Sequence, residues 1–235
     1  MIPDDDVAVY LDGGDTMYAG CQEHDFLDRF GKICNVTGAK VVVGAEYCCS
    51  ENGDCTTFPF PYRKDVLRAF NTTRKVIDGW GYEKVRPRGD FMSPGACNFP
   101  GCSLKYLNSG FIAAKARDLR WFARQWLDYF EKNITYGDHV VGDQARASAV
   151  MRNHPKEIVL DYAGVLVNSL YGNRHIWKKT DNQSQPMFEF HVDRKSWVNT
   201  VLGIDACFFH GNGNSDLPWL NNTILNQLRQ RRLSE

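Results

Sequence analysis

Apolar residues fall into short dense runs separated by segments bearing Gly, Asp and Cys, and the runs predict alternating strands and helices. VAVYL from Val7 to Leu11 is short, rich in strand-forming residues and followed by Gly13 and Gly14, so it predicts a buried strand running into a turn. Gln22 to Lys32 predicts a short helix, and KVVVGAE from Lys40 a second buried strand. Residues 47–62 form a loop rich in Cys, Gly and Pro. RKDVLRAFNTTRKVIDGW predicts a helix from Arg63, RPRGDFMSPGACNFPGC a second irregular stretch, and KYLNSGFIAA a strand from Lys105. The clearest helical period runs from Asp118 to Lys132, where Leu119, Phe122, Ala123, Trp126, Leu127 and Phe130 share one face. That stripe reads as core packing. GDQARASAVMRN predicts a helix from Asp143, EIVLDY and GVLVNSL predict strands, and IDACFFHGNG predicts a strand ending in a Gly-rich turn. LPWLNNTILNQLRQRR predicts a closing helix with Pro218 near its first turn. Alternating strands and helices place the chain in the α/β class.

At 235 residues the chain can bury one substantial core, and nothing in it resembles a linker, so a single domain over residues 1–235 is expected. Its 28 basic residues balance 28 acidic ones, which leaves no net field to attract nucleic acid or an anionic membrane. The basic stretch RQRR from Arg229 fits a solvated helix terminus. No window is long and apolar enough to span a bilayer, and MIPDDD is unlike a signal peptide. Two features nevertheless point to the secretory pathway. There are eight cysteines, at positions 21, 34, 48, 49, 55, 97, 102 and 207, and five Asn-x-Ser/Thr sequons, at Asn35, Asn71, Asn133, Asn182 and Asn221. The cysteine spacings fit no compact zinc site, so disulfides are the expected use, with at least one bridge among Cys48, Cys49, Cys55, Cys97 and Cys102. The pairing stays open.

The chemistry begins where the first strand ends. Asp12 and Asp15 lie three positions apart in a Gly-bearing turn, and two carboxylates at a sheet edge repel one another unless a cation lies between them. Hard oxygen ligands suit Mg²⁺, Mn²⁺ or Ca²⁺. The plainer alternative is a solvated, Asp-capped turn. Three other stretches place polar residues at strand ends or helix starts: Asn108 and Ser109 in YLNSGF, Asp143 and Gln144 in VVGDQ, and His210 and Asn212 in FFHGNG.

YLDGGDTMYAG, VVVGAEYCC, KYLNSGFIAA, GDQ and FFHGNG occur in the order found in the glycosyltransferase domain of the multifunctional procollagen lysyl hydroxylases and their glycosyltransferase relatives, and from Val7 to about Asn214 the chain resembles that family. The resemblance implies a GT-A fold, a mixed sheet flanked by helices. It also implies a Mn²⁺ cofactor and a UDP-sugar donor, with transfer of glucose or galactose to a hydroxylysine-type or glycosylated acceptor on a collagen-like protein. It implies the endoplasmic reticulum lumen or Golgi as location. Carried over, Asp12 and Asp15 match the metal-binding D-x-x-D and His210 the metal-binding His of H-G-N. Asn108 falls in L-N-S-G, Asp143 and Gln144 match the end of D-D-Q, and Cys49 falls at the cysteine of A-E-x-x-C. Backbone N–H groups around Gly211, Asn212 and Gly213 would approach the phosphates, and Asp143 would stand on the sugar or acceptor side.

The chain departs from that pattern in four places. Gly142 replaces the first Asp of D-D-Q, and L-N-S-G-F is one glycine short of L-N-S-G-G. The D-x-x-D also begins within twelve residues of Met1, without the preceding strands and helices that would hold uracil and ribose, so the expectation is a fragment or a chain with weakened donor binding. The Cys-bearing insertion at about 48–102 is longer than the family's connection. The competing expectation is a catalytically silent relative that binds a glycan or protein through this insertion.

Overall fold

The computed structural model describes residues 2–46, 59–70, 104, 106–131, 135–136, 139–140, 142–169, 188–191, 196–199 and 205–211. Their order is β1 (Val7–Leu11), β2 (Thr16–Tyr18), α1 (Glu23–Thr37), β3 (Val41–Glu46), α2 (Arg63–Ala69), β4 (Tyr106–Lys115) and α3 (Ala116–Glu131). There follow β5 (Thr135–Tyr136), β6 (His139–Val140), α4 (Asp143–Asn153), β7 (Ile158–Leu160), β8 (Val167–Ser169), β9 (Phe188–His191), β10 (Ser196–Asn199) and β11 (Phe208–His210). This is a mixed α/β fold, as the alternation of runs predicts.

Four strands form the larger sheet in the order β1-β4-β3-β7, antiparallel except for the parallel β3–β7 pair. Every residue of β3 is buried, which its unbroken apolar run anticipates for a strand covered on both faces. β1 lies at the edge, with Val7, Val9 and Leu11 packed on the core and Tyr10 exposed. The second sheet, β2-β11-β8, pairs β11 antiparallel to β2 and parallel to β8. β9–β10 and β5–β6 are two-stranded. α1 packs on α2 and β3, whereas α3 and α4 pack on each other and on β4. Phe208 of the small sheet joins the layers through ring contacts with Phe111 of β4 at 5.8 Å and Phe26 of α1 at 6.2 Å.

Several boundaries differ from the expectations. α1 runs on to Thr37 and stops where Gly38 takes a left-handed φ of 73°, its N–H donating to the Cys34 carbonyl. The stripe on α3 is only partly core: Phe122 is fully buried, but Leu127 is 59% exposed and Phe130 also faces solvent, with the Arg146 guanidinium 3.9 Å from the Phe130 ring centre. GVLVNSL is strand only from Val167, because Asp161 folds the preceding residues into a turn. Its fully buried carboxylate accepts from the N–H groups of Val165, Leu166 and Val167 at 3.1, 2.7 and 3.0 Å. The predicted closing helix and the Cys48–Cys102 insertion outside 59–70 lie beyond the described residues, as do all five of the insertion's cysteines.

A disulfide does lie within the described residues, joining Cys21 to Cys207 across 186 positions. It continues the β2–β11 ladder: Tyr18 pairs with Phe208, Ala19 N–H donates to the Cys207 carbonyl at 2.8 Å, and the bridge follows. Arg29 of α1 reinforces this end by donating to the Val165 carbonyl at 3.0 Å and to the Asp205 carboxylate at 2.5 Å.

Two stability measurements follow from these contacts. Replacing Cys21 and Cys207 together with Ser releases a very long loop in the unfolded chain and should lower unfolding free energy by about 2–5 kcal/mol, read from urea midpoints. Burial, opposed by the three N–H donors and by Arg29, pushes the Asp161 carboxyl up to about 6 from 3.8. Between those values the folded chain holds a proton that the unfolded chain has released, so this contribution to stability is present below about pH 4 and is lost as pH rises to about 6. Asp161→Asn should flatten that slope and, by turning an amide against backbone donors, lower stability by about 1–3 kcal/mol.

Candidate metal centre

β1 belongs to the large sheet and β2 to the small one, and residues 12–15 carry the chain between them. Both ends of this turn are fixed by main-chain bonds. Asp12 N–H donates to the Gly110 carbonyl of β4 at 3.0 Å, and the Asp15 carbonyl accepts from Gly211 N–H at 2.7 Å. His210 ends β11 in register with Thr16, the residue after Asp15. The two pairings bring to one place residues nearly two hundred positions apart. His210 Nε2 lies 3.2 Å from Asp15 Oδ1 and 3.7 Å from Asp12 Oδ2.

One atom from each of these residues lies within 4.8 Å of the others, and they form the one such group among the described residues. The spacing is short enough for one divalent ion to be shared by all three residues. Burial fits as well: His210 is 2% exposed and forms the floor, while Asp12 and Asp15 at 36% and 33% open outward to where further ligands would enter. Among the described residues, Asp15 Oδ1 and both ring nitrogens of His210 are buried without a well-aligned hydrogen bond, the condition in which a buried polar atom is costly unless an ion or water completes it. Burial pushes the His210 pKa down, against the pull of Asp15 and Asp12, and so favours the neutral imidazole that a metal requires.

Gly110 makes the geometry possible. A Cβ there would lie 2.2 Å from His210 Cε1, 2.3 Å from Nε2 and 2.9 Å from Asp12 Oδ2. The β3–β4 register jumps between Val43, which pairs with Ile112, and Gly44, which pairs with Asn108, so Ser109, Gly110 and Phe111 bulge out of that ladder. The bulge carries Gly110 beneath the imidazole.

The next residues of β4 organise a second polar cluster. Asn108 Nδ2 donates to Glu46 Oε2 at 3.1 Å, Gln144 Nε2 donates to Glu46 Oε1 at 2.6 Å, and Asn108 Oδ1 accepts from Gly110 N–H at 3.1 Å. Ser109 Oγ donates to Asp143 Oδ2 at 3.2 Å. Asn108, Gln144 and Asp143 are thus brought together at the mouth of β4 and the first turn of α4, beside the metal group through the consecutive residues 108–110. Glu46, in VVVGAEYCC, joins this cluster without any motif that singles it out. Its signal is an acid ending a fully apolar strand, and it is buried.

Gly211 and Trp126 make contacts that the sequence pattern does not announce. Gly211 N–H, expected near phosphate, is engaged by the Asp15 carbonyl and serves the turn instead. Asn212, Gly213 and Cys49 lie outside the described residues. Trp126, read as core, is half-buried with its indole N–H donating to the Asp143 carbonyl at 3.0 Å.

No family model matches the chain, and no curated protein matches it at a significant level.

Gly110→Ala should displace the imidazole from the two carboxylates and lower stability by about 1–3 kcal/mol through overpacking, read from urea midpoints. Gly13→Ala is the matched control, because among the described residues a Cβ there meets nothing within 4 Å, and it should leave stability within about 0.5 kcal/mol of the parent.

Proposed function

We propose that the chain is a divalent-metal-dependent glycosyltransferase that takes glucose or galactose from a UDP-sugar and delivers it to a hydroxylysine-type or glycosylated acceptor on a collagen-like protein. The observation that carries this reading is the convergence of Asp12, Asp15 and His210 at the seam of two sheets. Two carboxylates and a neutral imidazole suit Mn²⁺ better than Ca²⁺, which prefers oxygen alone. A divalent ion at these residues supplies charge that stabilises the diphosphate as the sugar bond breaks.

The chain's other residues are suited to the reacting side. Asp143 is exposed at the start of α4, and Ser109 holds one of its oxygens, so it is oriented toward whatever enters beside the metal. Glu46, buried and held by Asn108 and Gln144, fixes both amides as a rigid polar wall in which donors and acceptors are already aligned. The ordered likeness of YLDGGD, LNSG, GDQ and FFHGNG to the lysyl hydroxylase glycosyltransferases supplies the donor and acceptor class, and the Cys21–Cys207 bridge fits an oxidising secretory compartment.

The test is titration of UDP with and without Mn²⁺, followed by turnover of UDP-glucose and UDP-galactose. UDP binding is expected to require Mn²⁺, and Asp12→Ala, Asp15→Ala or His210→Ala should each weaken it more than about 100-fold, since each removes a direct ligand rather than an outer partner. UDP or diphosphate binding that is indifferent to the ion, or absent for both in its presence, overturns the reading.

A further inference from the structure

Asp12 has two carboxylate oxygens with separate surroundings. Oδ2 faces His210 Nε2 at 3.7 Å, and it is the oxygen that a Cβ on Gly110 would crowd. Oδ1 accepts a hydrogen bond from the Tyr10 hydroxyl at 3.2 Å. Tyr10 is on β1 and Asp12 is the residue just past its end, and the hydrogen bond shows that the two side chains meet. At 40% exposure Tyr10 is not there to fill the core. Its ring meets Trp126 edge-on, with centroids 5.9 Å apart and planes at 85°, and Trp126 donates to the main chain of Asp143. Tyr10 is therefore braced by α3, and the same brace holds the first residue of α4.

We propose that Tyr10 is a positioning residue for the metal centre: its hydroxyl holds Asp12 Oδ1 so that Oδ2 alone is presented to the ion, while Trp126 locks the phenol and ties it to the Asp143 corner. This role rests on the metal reading given above. A carboxylate on a turn can rotate about its last bond and offer either oxygen or both. A single donor on one oxygen removes that freedom before the ion arrives. Outer partners of this kind set ligand orientation and basicity, and losing one weakens metal affinity about 10–100-fold. The ring alone could cover Trp126, so the hydroxyl is the part that packing does not explain.

Tyr10→Phe separates the two roles, because it keeps the ring against Trp126 and removes only the oxygen. Mn²⁺ affinity of the full chain, measured by electron paramagnetic resonance of the free ion and by calorimetry, should fall about tenfold, with a thermal midpoint close to that of the parent. Tyr10→Leu should lower both. A parent chain that binds Mn²⁺ and a Tyr10→Phe chain that binds it within about twofold of the same affinity overturn the role of Tyr10 and leave the metal centre standing. A parent chain that binds no Mn²⁺ overturns the metal centre, and the role of Tyr10 with it.

Discussion

The arrangement depends on a four-residue turn that has to satisfy two sheets at once. Asp12 is tied to β4 of the large sheet, and Asp15 to the residue after β11 of the small one. Neither anchor tolerates a shift, because a slip of one residue in either ladder would turn a side chain to the opposite face. Two acids are thereby held close together in a place where their mutual repulsion would otherwise push the turn open. The layers that resist this opening are apolar: Phe208 against Phe111 and Phe26, and β8 packed on β3. Packing energy from the core holds charged groups in an arrangement that they would not choose alone, which is how a preorganised site is made.

The second cluster shows the same economy. Burying Glu46 costs free energy unless its oxygens are matched, and Asn108 and Gln144 match them from two different elements. Since Asn108 also accepts from the Gly110 N–H, the bulge and the buried acid share one hydrogen-bonded unit, with Gly110 packed closely against His210. Changes at any of the three should be felt at the others, as coupled neighbours are not additive.

Much of this was legible in the residues themselves. The Val-rich run of β3, the long apolar β4 and the period of α3 announce their elements, because burial on both faces or on one stripe leaves a direct mark on composition. Asp12, Asp15 and His210 stand at strand ends, and strand ends are recognisable. What was not legible depends on register. The bulge at Ser109–Phe111 has no local signal beyond a glycine, and the turn built by Asp161 is an apolar run whose extension is interrupted by a single upstream carboxylate. Glu46 looks like the polar stop of a strand until Asn108 and Gln144 are placed across from it. Trp126 looks like core because its apolar ring does sit at helical spacing, and only its N–H reveals a second purpose. The Cys21–Cys207 pairing follows from the β2–β11 ladder and could not precede it.

The distance along the chain between Asp15 and His210 also sets an order of events during biosynthesis. A ribosome adds about 5–20 residues each second, so the two acids wait roughly ten to forty seconds before the imidazole that completes their set is made. Throughout that interval the nascent turn carries its two carboxylates without the imidazole that stands beside them in the fold. The cluster cannot form until β11 is translated and paired with β2, the pairing that also brings Cys21 to Cys207. The cluster of Asp12, Asp15 and His210 thus exists only once the two ends of the described fold have met.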